Sequence, residues 1–302
     1  MITGGRGARI ALLGALLLAA CADAAETPAA GPTSRTAPST PPAASSTPPP
    51  SRTPPPPTSP PTVTPTPTPT AWQVGATPLP LRPDGFGEVL PTPPELVDRR
   101  LPTRDLLPPP PDGRYRGTIA SIDAAVRARM GETWQEGCPV ALADLRYLTV
   151  GFWGFDGRPH TGDLVVNASV AEDVTEVFRR LFDARFPLEE VRVLTTADLQ
   201  APPTGDGNTT AAFVCRVTRQ STTWSAHAYG LAVDVNPFHN PYERDGLVLP
   251  ELASAYLDRA DVRPGMVLPG DVVDQAFADI GWSWGGRFQR LKDYQHFSAT
   301  GR

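Results

Sequence analysis

The sequence predicts one α+β domain that follows a long proline-rich linker, and three observations support this prediction. Of the 38 prolines in the 302-residue chain, 28 lie between Cys21 and Asp112, a density typical of unpacked sequence. From Gly113 onward proline is sparse and five of the six tryptophans occur, so this part of the chain can bury a core. Short β-branched runs alternate in it with amphipathic runs, which indicates helices combined with a small antiparallel sheet.

The first 21 residues have the features of an export signal. Arg6 and Arg9 precede the apolar run from Ile10 to Ala20, which is too short to span a bilayer. The run ends in Leu-Ala-Ala-Cys, which resembles the lipobox of bacterial lipoproteins, where the cysteine is lipidated. We therefore predict a signal peptide over residues 1–21 and a lipid anchor at Cys21 that holds the protein on the outer face of the cytoplasmic membrane. Ordinary cleavage near the following alanines, which would give a secreted protein, is the alternative.

Residues 22–112 are predicted to form a disordered linker rich in proline, threonine and serine. Its most biased parts, Pro54–Pro57 and Thr64–Thr70, contain no apolar side chain other than proline. Such sequence favours extended polyproline conformations, so the linker would act as a spacer in front of the domain at residues 113–302.

Within the domain, each element is predicted from its own pattern. The first helix is expected over Thr118–Met130, where apolar residues recur at three- and four-residue spacing. A β-hairpin is expected from Asp144–Phe155 and Asp163–Asn167, which flank the turn signal Asp156-Gly157. The later elements are a helix over Val170–Phe186 closed by Pro187, strands over Val191–Thr195, Ala228–Val235 and Tyr294–Ser298, and a helix over Val272–Ile280.

The charge balance argues against a nucleic-acid partner. The chain carries 27 basic and 32 acidic residues, which gives a net charge of −5 with the histidines neutral. Neutralising a phosphate backbone requires a basic face, and this composition does not supply one.

The residues that suggest chemistry are concentrated around two of the four histidines. His227 lies within the segment Ser225–Asp234, and His296 follows near the end of the chain. Two imidazoles and the carboxylate of Asp234 could bind a zinc ion and leave a fourth position for water, as a catalytic zinc requires. Asp293, three residues before His296, could act as the base for that water if the chain bends between the two.

These residues resemble those of a known enzyme family. The pattern SxHxxGxAxD from Ser225 to Asp234, followed by the DxxH of Asp293 to His296, is similar to the zinc D-alanyl-D-alanine carboxypeptidase family. This family includes the VanY-type carboxypeptidases and the related L-alanyl-D-glutamate endopeptidases of bacteriophages and bacteria. The resemblance covers roughly Leu142–Phe297, which is nearly all of the predicted domain.

The resemblance implies a role for each matching residue. One Zn²⁺ per domain would be bound on the small antiparallel sheet, with a general base beside it. The family also has an arginine that holds the substrate carboxylate, a task that suits a guanidinium because it grips a carboxylate through two hydrogen bonds. The implied residues are His227, Asp234 and His296 as zinc ligands, Asp293 as the base, and Arg216 and Ser225 as substrate-binding residues.

The function implied is that of an exported zinc metallopeptidase that cleaves peptidoglycan stem peptides, with D-alanyl-D-alanine carboxypeptidase activity as the first expectation. An L-alanyl-D-glutamate endopeptidase on the same scaffold is the second, and a non-catalytic, zinc-bearing cell-wall-binding module is the third. Gly281–Gly285 also fits the GxSxG motif of serine hydrolases, but the acid and histidine of that site would have to be Asp293 and His296. His160 and His239 are expected to be packing or hydrogen-bonding residues.

Two cysteines, Cys138 and Cys215, lie within the domain. In an exported protein such a pair is predicted to form a disulfide, which would close a long loop and add a few kcal/mol of stability. Two buried free thiols are the alternative, because two cysteines alone carry no spacing signature.

Overall fold

The computed structural model describes residues 72–218 and 221–301 of the chain. The predicted signal peptide, the predicted lipidation site Cys21 and the predicted linker up to residue 71 lie outside these residues. Among the described helices, none has the length and hydropathy of a membrane span.

The described residues form short helices and strands in mixed order, which confirms the coarse part of the predicted fold class. The longest elements are a 13-residue helix and two nine-residue strands. The α-helices are α1 Pro94–Val97, α2 Ala124–Met130, α3 Ala171–Asp183, α4 Thr196–Gln200 and α5 Val272–Asp279. The strands are β1 Gly117–Ser121, β2 Leu145–Trp153, β3 Pro159–Asn167, β4 Glu190–Val191, β5 Thr209–Thr210, β6 Ala232–Asp234, β7 Tyr242–Arg244, β8 Leu247–Leu249, β9 Ser283–Trp284, β10 Lys292–Asp293 and β11 His296–Ser298.

The first sheet is an antiparallel meander in the order β1-β2-β3. The β2/β3 pair is the predicted hairpin, and its turn places Gly157 at φ 71°, a conformation that glycine adopts without strain. Helix α3 packs its apolar face, including Val174 and Phe178, into the same core as this sheet. The predicted amphipathic helix and hairpin are thus both confirmed.

Smaller sheets complete the fold and carry the residues of interest. Their orders are β6-β11-β9 and β10-β7-β8, both antiparallel, and β4 pairs with β5 in parallel. Phe297 of β11 stacks on Phe277 of α5 with ring centroids 4.2 Å apart and on Trp284 of β9 at 6.2 Å. These aromatic contacts fix β11 against the core that also contains the α3 side chains.

The predicted helix over Thr118–Met130 is wrong in its first part. Its first residues lie in strand β1, which pairs with β2, and Ile119 is exposed. The helix begins only at Ala124, where the Asp123 carboxylate accepts a hydrogen bond from the Val126 N–H at 2.8 Å. Pairing with a neighbouring strand therefore overrides the helical spacing of the apolar residues.

The three strands predicted after the hairpin are all shorter than their apolar runs, and the last of them, Tyr294–Ser298, is strand only over His296–Ser298. The run Val191–Thr195 contributes only Val191 to β4, which ends at that residue. The run Ala228–Val235 begins in a 3₁₀ helix, Ala226–Tyr229, and only Ala232–Asp234 is strand. The left-handed Gly230 separates these two elements, so a continuous strand cannot form.

The predicted linker extends too far, because residues 72–112 pack on the domain. Leu79 and Leu96 are buried in a cluster with Phe238 and Tyr256. The apolar side chains of this segment are spaced between its prolines, so the overall composition resembles that of unpacked sequence. The linker prediction for residues 22–71 stays a prediction.

A buried ion pair anchors this segment to the domain. The Arg99 Nε donates to Oε2 of Glu189 at 2.7 Å, and its Nη1 donates to the Asp206 carbonyl oxygen at 2.8 Å. The Asn208 side-chain amide also donates to Glu189 at 2.8 Å. Arg99 is only 1% exposed, so removing it would leave the carboxylate of Glu189 buried without its cation.

We expect Arg99→Ala to lower the free energy of unfolding by about 3–5 kcal/mol, the usual cost of breaking a buried ion pair. The neighbouring Arg100 pairs with Asp98 at the surface, where the two side chains are 53% and 62% exposed. Arg100→Ala is the matched control and should cost under about 1 kcal/mol. Urea denaturation of both variants measures the difference, and equal losses would contradict the anchoring role of Arg99.

Candidate metal centre

Three side chains with metal-ligating atoms converge at one point, as the sequence predicts. The Nε2 of His227 lies 3.2 Å from Nδ1 of His296. The Oδ1 of Asp234 lies 3.0 Å from that Nδ1 and 3.2 Å from Nε2 of His227. Within residues 72–218 and 221–301, this is the group of histidine, cysteine and acidic side chains whose geometry could hold a metal ion.

The size of this triangle fits zinc. Ligand atoms bonded to a tetrahedral zinc ion at ~2.0–2.1 Å lie roughly 3.3 Å from one another. The observed separations of 3.0–3.2 Å are close to that value. Two imidazoles and one carboxylate are also a donor set that zinc accepts, and three protein ligands leave one position open.

The position of His227 follows from the turn in which it lies. Ser225 caps the 3₁₀ helix Ala226–Tyr229, and its Oγ accepts a hydrogen bond from the His227 N–H. The Nδ1–H of His227 donates to the Ala212 carbonyl oxygen, which leaves the lone pair of Nε2 directed at the group. The structure therefore gives Ser225 a capping role, and its predicted contact with substrate stays a prediction.

Strand pairing brings Asp234 and His296 together. The two residues lie directly opposite each other in the antiparallel β6/β11 pair, so their side chains project from the same face. On its other side, the backbone of Asp234 exchanges hydrogen bonds with Ala211 at 2.9 and 3.1 Å. Asp234 is thus held by neighbours on both sides, and the register sets the distance between the two ligand atoms.

The electrostatics keep Asp234 in the form that binds a metal. Burial acts to raise the pKa of Asp234, but the adjacent imidazoles of His227 and His296 hold this pKa below its ordinary value. A carboxyl group must be ionised to serve as a ligand, and the lowered pKa favours the ionised form of Asp234.

Asp293 lies next to the ligand group but in a different sheet. It belongs to β10, whereas His296 belongs to β11, and the chain changes sheets between them. This change supplies the bend that their three-residue spacing requires. Asp293 therefore reaches the region of the ligands although a straight strand would direct the two side chains apart.

The burial and the raised pKa of the Asp293 carboxyl group are those expected of a general base. Its Oδ1 is buried and has no hydrogen-bond partner, which is costly in a folded protein and indicates a position meant for a ligand or water. Burial raises its pKa to about 7, while the charge of His296 opposes the rise and that of Asp234 adds to it. The polar side chain of Gln295 also acts to lower this pKa.

Arg216 is exposed and lies close enough for its charge to lower the pKa of Asp293. Its position is fixed on both sides of the residue. The preceding Cys215 is bonded to Cys138, with Sγ atoms 1.98 Å apart, and the Arg216 carbonyl oxygen accepts a hydrogen bond from the Ser225 N–H at 3.1 Å. The guanidinium is thereby kept near the site with its head group open to solvent.

The other two histidines lie in separate polar clusters. His160 is buried between the carboxylates of Asp105 and Asp156, at 2.7 and 3.1 Å. His239 contacts the Arg99 carbonyl oxygen at 3.0 Å, and burial lowers its pKa to about 3. Both contacts agree with the predicted packing or hydrogen-bonding roles.

The GxSxG segment does not form the turn that a serine nucleophile requires. Ser283 lies in the two-residue strand β9, and a 3₁₀ turn, Gly285–Arg287, follows it in place of an α-helix. The geometry therefore argues against the serine-hydrolase alternative.

Sequence reasoning missed three groups that lie at the site. They are the Ala212 carbonyl that orients His227, the Gln295 side chain that lowers the pKa of Asp293, and Tyr242, which lies directly opposite Asp293 in β7. Only Gln295 had a sequence signal, since it stands inside the DxxH segment. A backbone carbonyl gives no sequence signal, and Tyr242 lies at the site only because β7 pairs with β10.

We expect the purified protein to bind one zinc ion and His296→Ala to lose this binding, because two ligands cannot close the site. His160→Gln is the matched control, since His160 is equally buried but lies outside the group. Titration calorimetry with zinc, together with metal analysis after dialysis, measures both variants. Zinc binding retained in His296→Ala would contradict the assignment.

Comparison with known proteins gives one match. A family model described as D-alanyl-D-alanine carboxypeptidase matches residues 218–299, about a quarter of the chain. No curated protein and no solved structure matches this chain. The matched segment contains His227, Asp234, Asp293 and His296, but it begins two residues after Arg216 and does not test that arginine. Residues 218–299 are therefore similar in sequence to the D-alanyl-D-alanine carboxypeptidase family, which the motifs predict.

Proposed function

We propose that this protein is an exported zinc metallopeptidase that removes the terminal D-alanine from peptidoglycan stem peptides. The observation that carries this proposal is the convergence of His227, Asp234 and His296 beside the unpartnered carboxyl oxygen of Asp293. A site meant only to hold a structural metal has no need of a buried acid next to an open coordination position. This argument favours an enzyme over a non-catalytic binding module.

Zinc and Asp293 would have different roles in the hydrolysis of the peptide bond. When bound, zinc acts as a Lewis acid toward the scissile carbonyl and lowers the pKa of water. Asp293 takes the proton of the attacking water and then passes it to the departing amine. A base works best with a pKa near the operating pH, and burial acts in that direction by raising the pKa of Asp293.

Arg216 is proposed to hold the free carboxylate at the end of the substrate. Its guanidinium is exposed to solvent, and its charge acts on Asp293, so it can bind a group close to the scissile bond. A terminal D-alanine presents such a carboxylate, which is the reason for placing carboxypeptidase activity first. The α-carboxylate of a γ-linked D-glutamate would fit the same arginine, so endopeptidase cleavage is the alternative outcome of the test below.

The proposed location is outside the cytoplasmic membrane. It follows from the charged and apolar pattern of residues 1–21 and from the lipobox that ends in Cys21. A lipid at Cys21 would tether the enzyme on the face of the membrane where its substrate lies.

We expect the zinc-loaded protein to release D-alanine from purified pentapeptide, and a chelator to stop the reaction. Asp293→Asn should retain zinc and lose about 10²–10⁴-fold in kcat, because the amide cannot accept the proton. Asp279→Asn is the control, since Asp279 is an exposed residue paired with Arg180. Mass spectrometry of the products identifies the bond that is cut. Cleavage between L-alanine and D-glutamate would replace the carboxypeptidase proposal, and no cleavage of either bond would refute the enzyme.

We expect Arg216→Lys to lose roughly ten- to 150-fold in kcat/KM, because a single ammonium cannot reproduce two parallel hydrogen bonds to a carboxylate. An amidated substrate should suffer a similar loss with the unmodified enzyme. The two changes should be non-additive, because both remove the same interaction. Steady-state kinetics of the four combinations gives the coupling. Equal hydrolysis of free and amidated peptides would assign Arg216 a structural role.

A further inference from the structure

We infer that Gly285 is a positioning residue for the base: its missing side chain lets the turn 285–288 rest directly on the backbone of Asp293 and thereby sets the place of that carboxylate. The kinetic part of this inference rests on the proposed peptidase function. Its structural part concerns only how two segments of the chain pack together.

The contact between the two residues leaves no room for a side chain. A Cβ built on Gly285 would overlap the carbonyl oxygen of Asp293 and would lie 2.9 Å from the Cβ of that residue and 3.2 Å from its carbonyl carbon. Two of these three atoms belong to the backbone, so no rotamer change of Asp293 can relieve the overlap. An ordinary contact begins at about 3.4 Å, so one of the two segments would have to move by about 1 Å.

The glycine is required for space and not for an unusual backbone conformation. Glycines that occupy the left-handed region in this protein include Gly230, Gly281 and Gly301, and Gly285 is not among them. An alanine could therefore adopt the local backbone of Gly285 if Asp293 were not beside it.

Hydrogen bonds on both sides prevent the turn from moving away. The Lys292 Nζ donates to the carbonyl oxygens of Gly286 and Phe288 at 3.1 and 2.8 Å. The Trp284 Nε1–H donates to the carbonyl oxygen of Tyr294 at 2.8 Å. The turn and the strand that contains Asp293 are thus joined immediately before and after the close contact.

Strand pairing holds Asp293 from the other side. Asp293 lies opposite Tyr242 in the β10/β7 pair, while Lys292 lies opposite Glu243. The Asp293 backbone is therefore confined between β7 and Gly285. His227 and Asp234 are placed by the 3₁₀ helix 226–229 and by β6, and His296 lies on β11, which pairs with β6 and with β9. The atoms nearest to an added Cβ at Gly285 all belong to Asp293 and not to a ligand. A change at Gly285 should consequently move the base relative to the ligands.

The test is the Gly285→Ala variant of the zinc-loaded full chain. A displacement of about 1 Å at a reacting group can lower turnover by about 100-fold, so we expect a loss of that order in kcat. Zinc affinity and KM should stay within about threefold of the unmodified protein, because the atoms that the added Cβ overlaps belong to Asp293 and not to a metal ligand or to Arg216. A crystal structure of the variant should show the Asp293 backbone shifted relative to His296.

Gly207→Ala is the matched control. A Cβ at Gly207 meets no atom within 4 Å, and its φ lies outside the left-handed region, so the same substitution should leave kcat, zinc affinity and the Asp293 position unchanged. Lys292→Met provides a milder second variant in case Gly285→Ala does not fold. It removes two hydrogen bonds without adding a clash and should lower kcat by about three- to tenfold.

Several results would overturn the inference. One is a Gly285→Ala variant with unchanged kcat and an unmoved Asp293. Another is a loss of zinc affinity that parallels the loss of kcat, because it would assign the glycine to the metal site as a whole. If Gly285→Ala does not fold, an unchanged kcat in Lys292→Met would overturn the inference as well. If the unmodified protein cleaves no stem peptide, the proposed function fails, and the crystallographic comparison of Gly285→Ala with Gly207→Ala still decides the inference.

Discussion

Two imidazole nitrogens and one carboxylate oxygen are held 3.0–3.2 Å from one another, and the neighbouring elements are arranged to keep them there. Electron-rich atoms at this distance repel one another unless a proton or a cation lies between them. Packing beneath the site also helps to keep these atoms in place, since Phe297 of β11 is stacked on two aromatic side chains. The apolar core therefore holds β11, and with it His296, at the position that this spacing requires.

Much of the site could be predicted from the sequence because its residues occur in two short segments. His227 and Asp234 are seven residues apart, Asp293 and His296 are three apart, and few chemistries use these residue types at such spacings. The meeting of the two segments could not be predicted, since it depends on the β6/β11 register and on the change of sheet after Asp293. The role of the Ala212 carbonyl could not be predicted either, because every residue has a backbone carbonyl and the sequence does not indicate which one contacts His227.

The fold was predictable where local pattern and tertiary packing agree. Helix α3 and the β2/β3 hairpin meet this condition, because the helix buries one face and the hairpin has a glycine at its turn. Thr118–Ser121 does not meet this condition, because the spacing of its apolar residues suggests a helix whereas the segment pairs with the edge of β2 as a strand. The ion pair of Arg99 with Glu189 joins residues 90 positions apart, a distance over which composition carries no information.

The disulfide between Cys138 and Cys215 anchors the chain on the side of the site where the substrate is proposed to bind. Cys215 immediately precedes Arg216, whereas Asp234 and His296 depend on strand pairing that involves no cysteine. The residues just before Cys215 also support the metal ligands, because the backbone of Ala211 bonds that of Asp234 and the Ala212 carbonyl oxygen accepts a hydrogen bond from His227. Reduction of the disulfide would therefore remove a covalent anchor from the segment that holds both the ligands and the arginine.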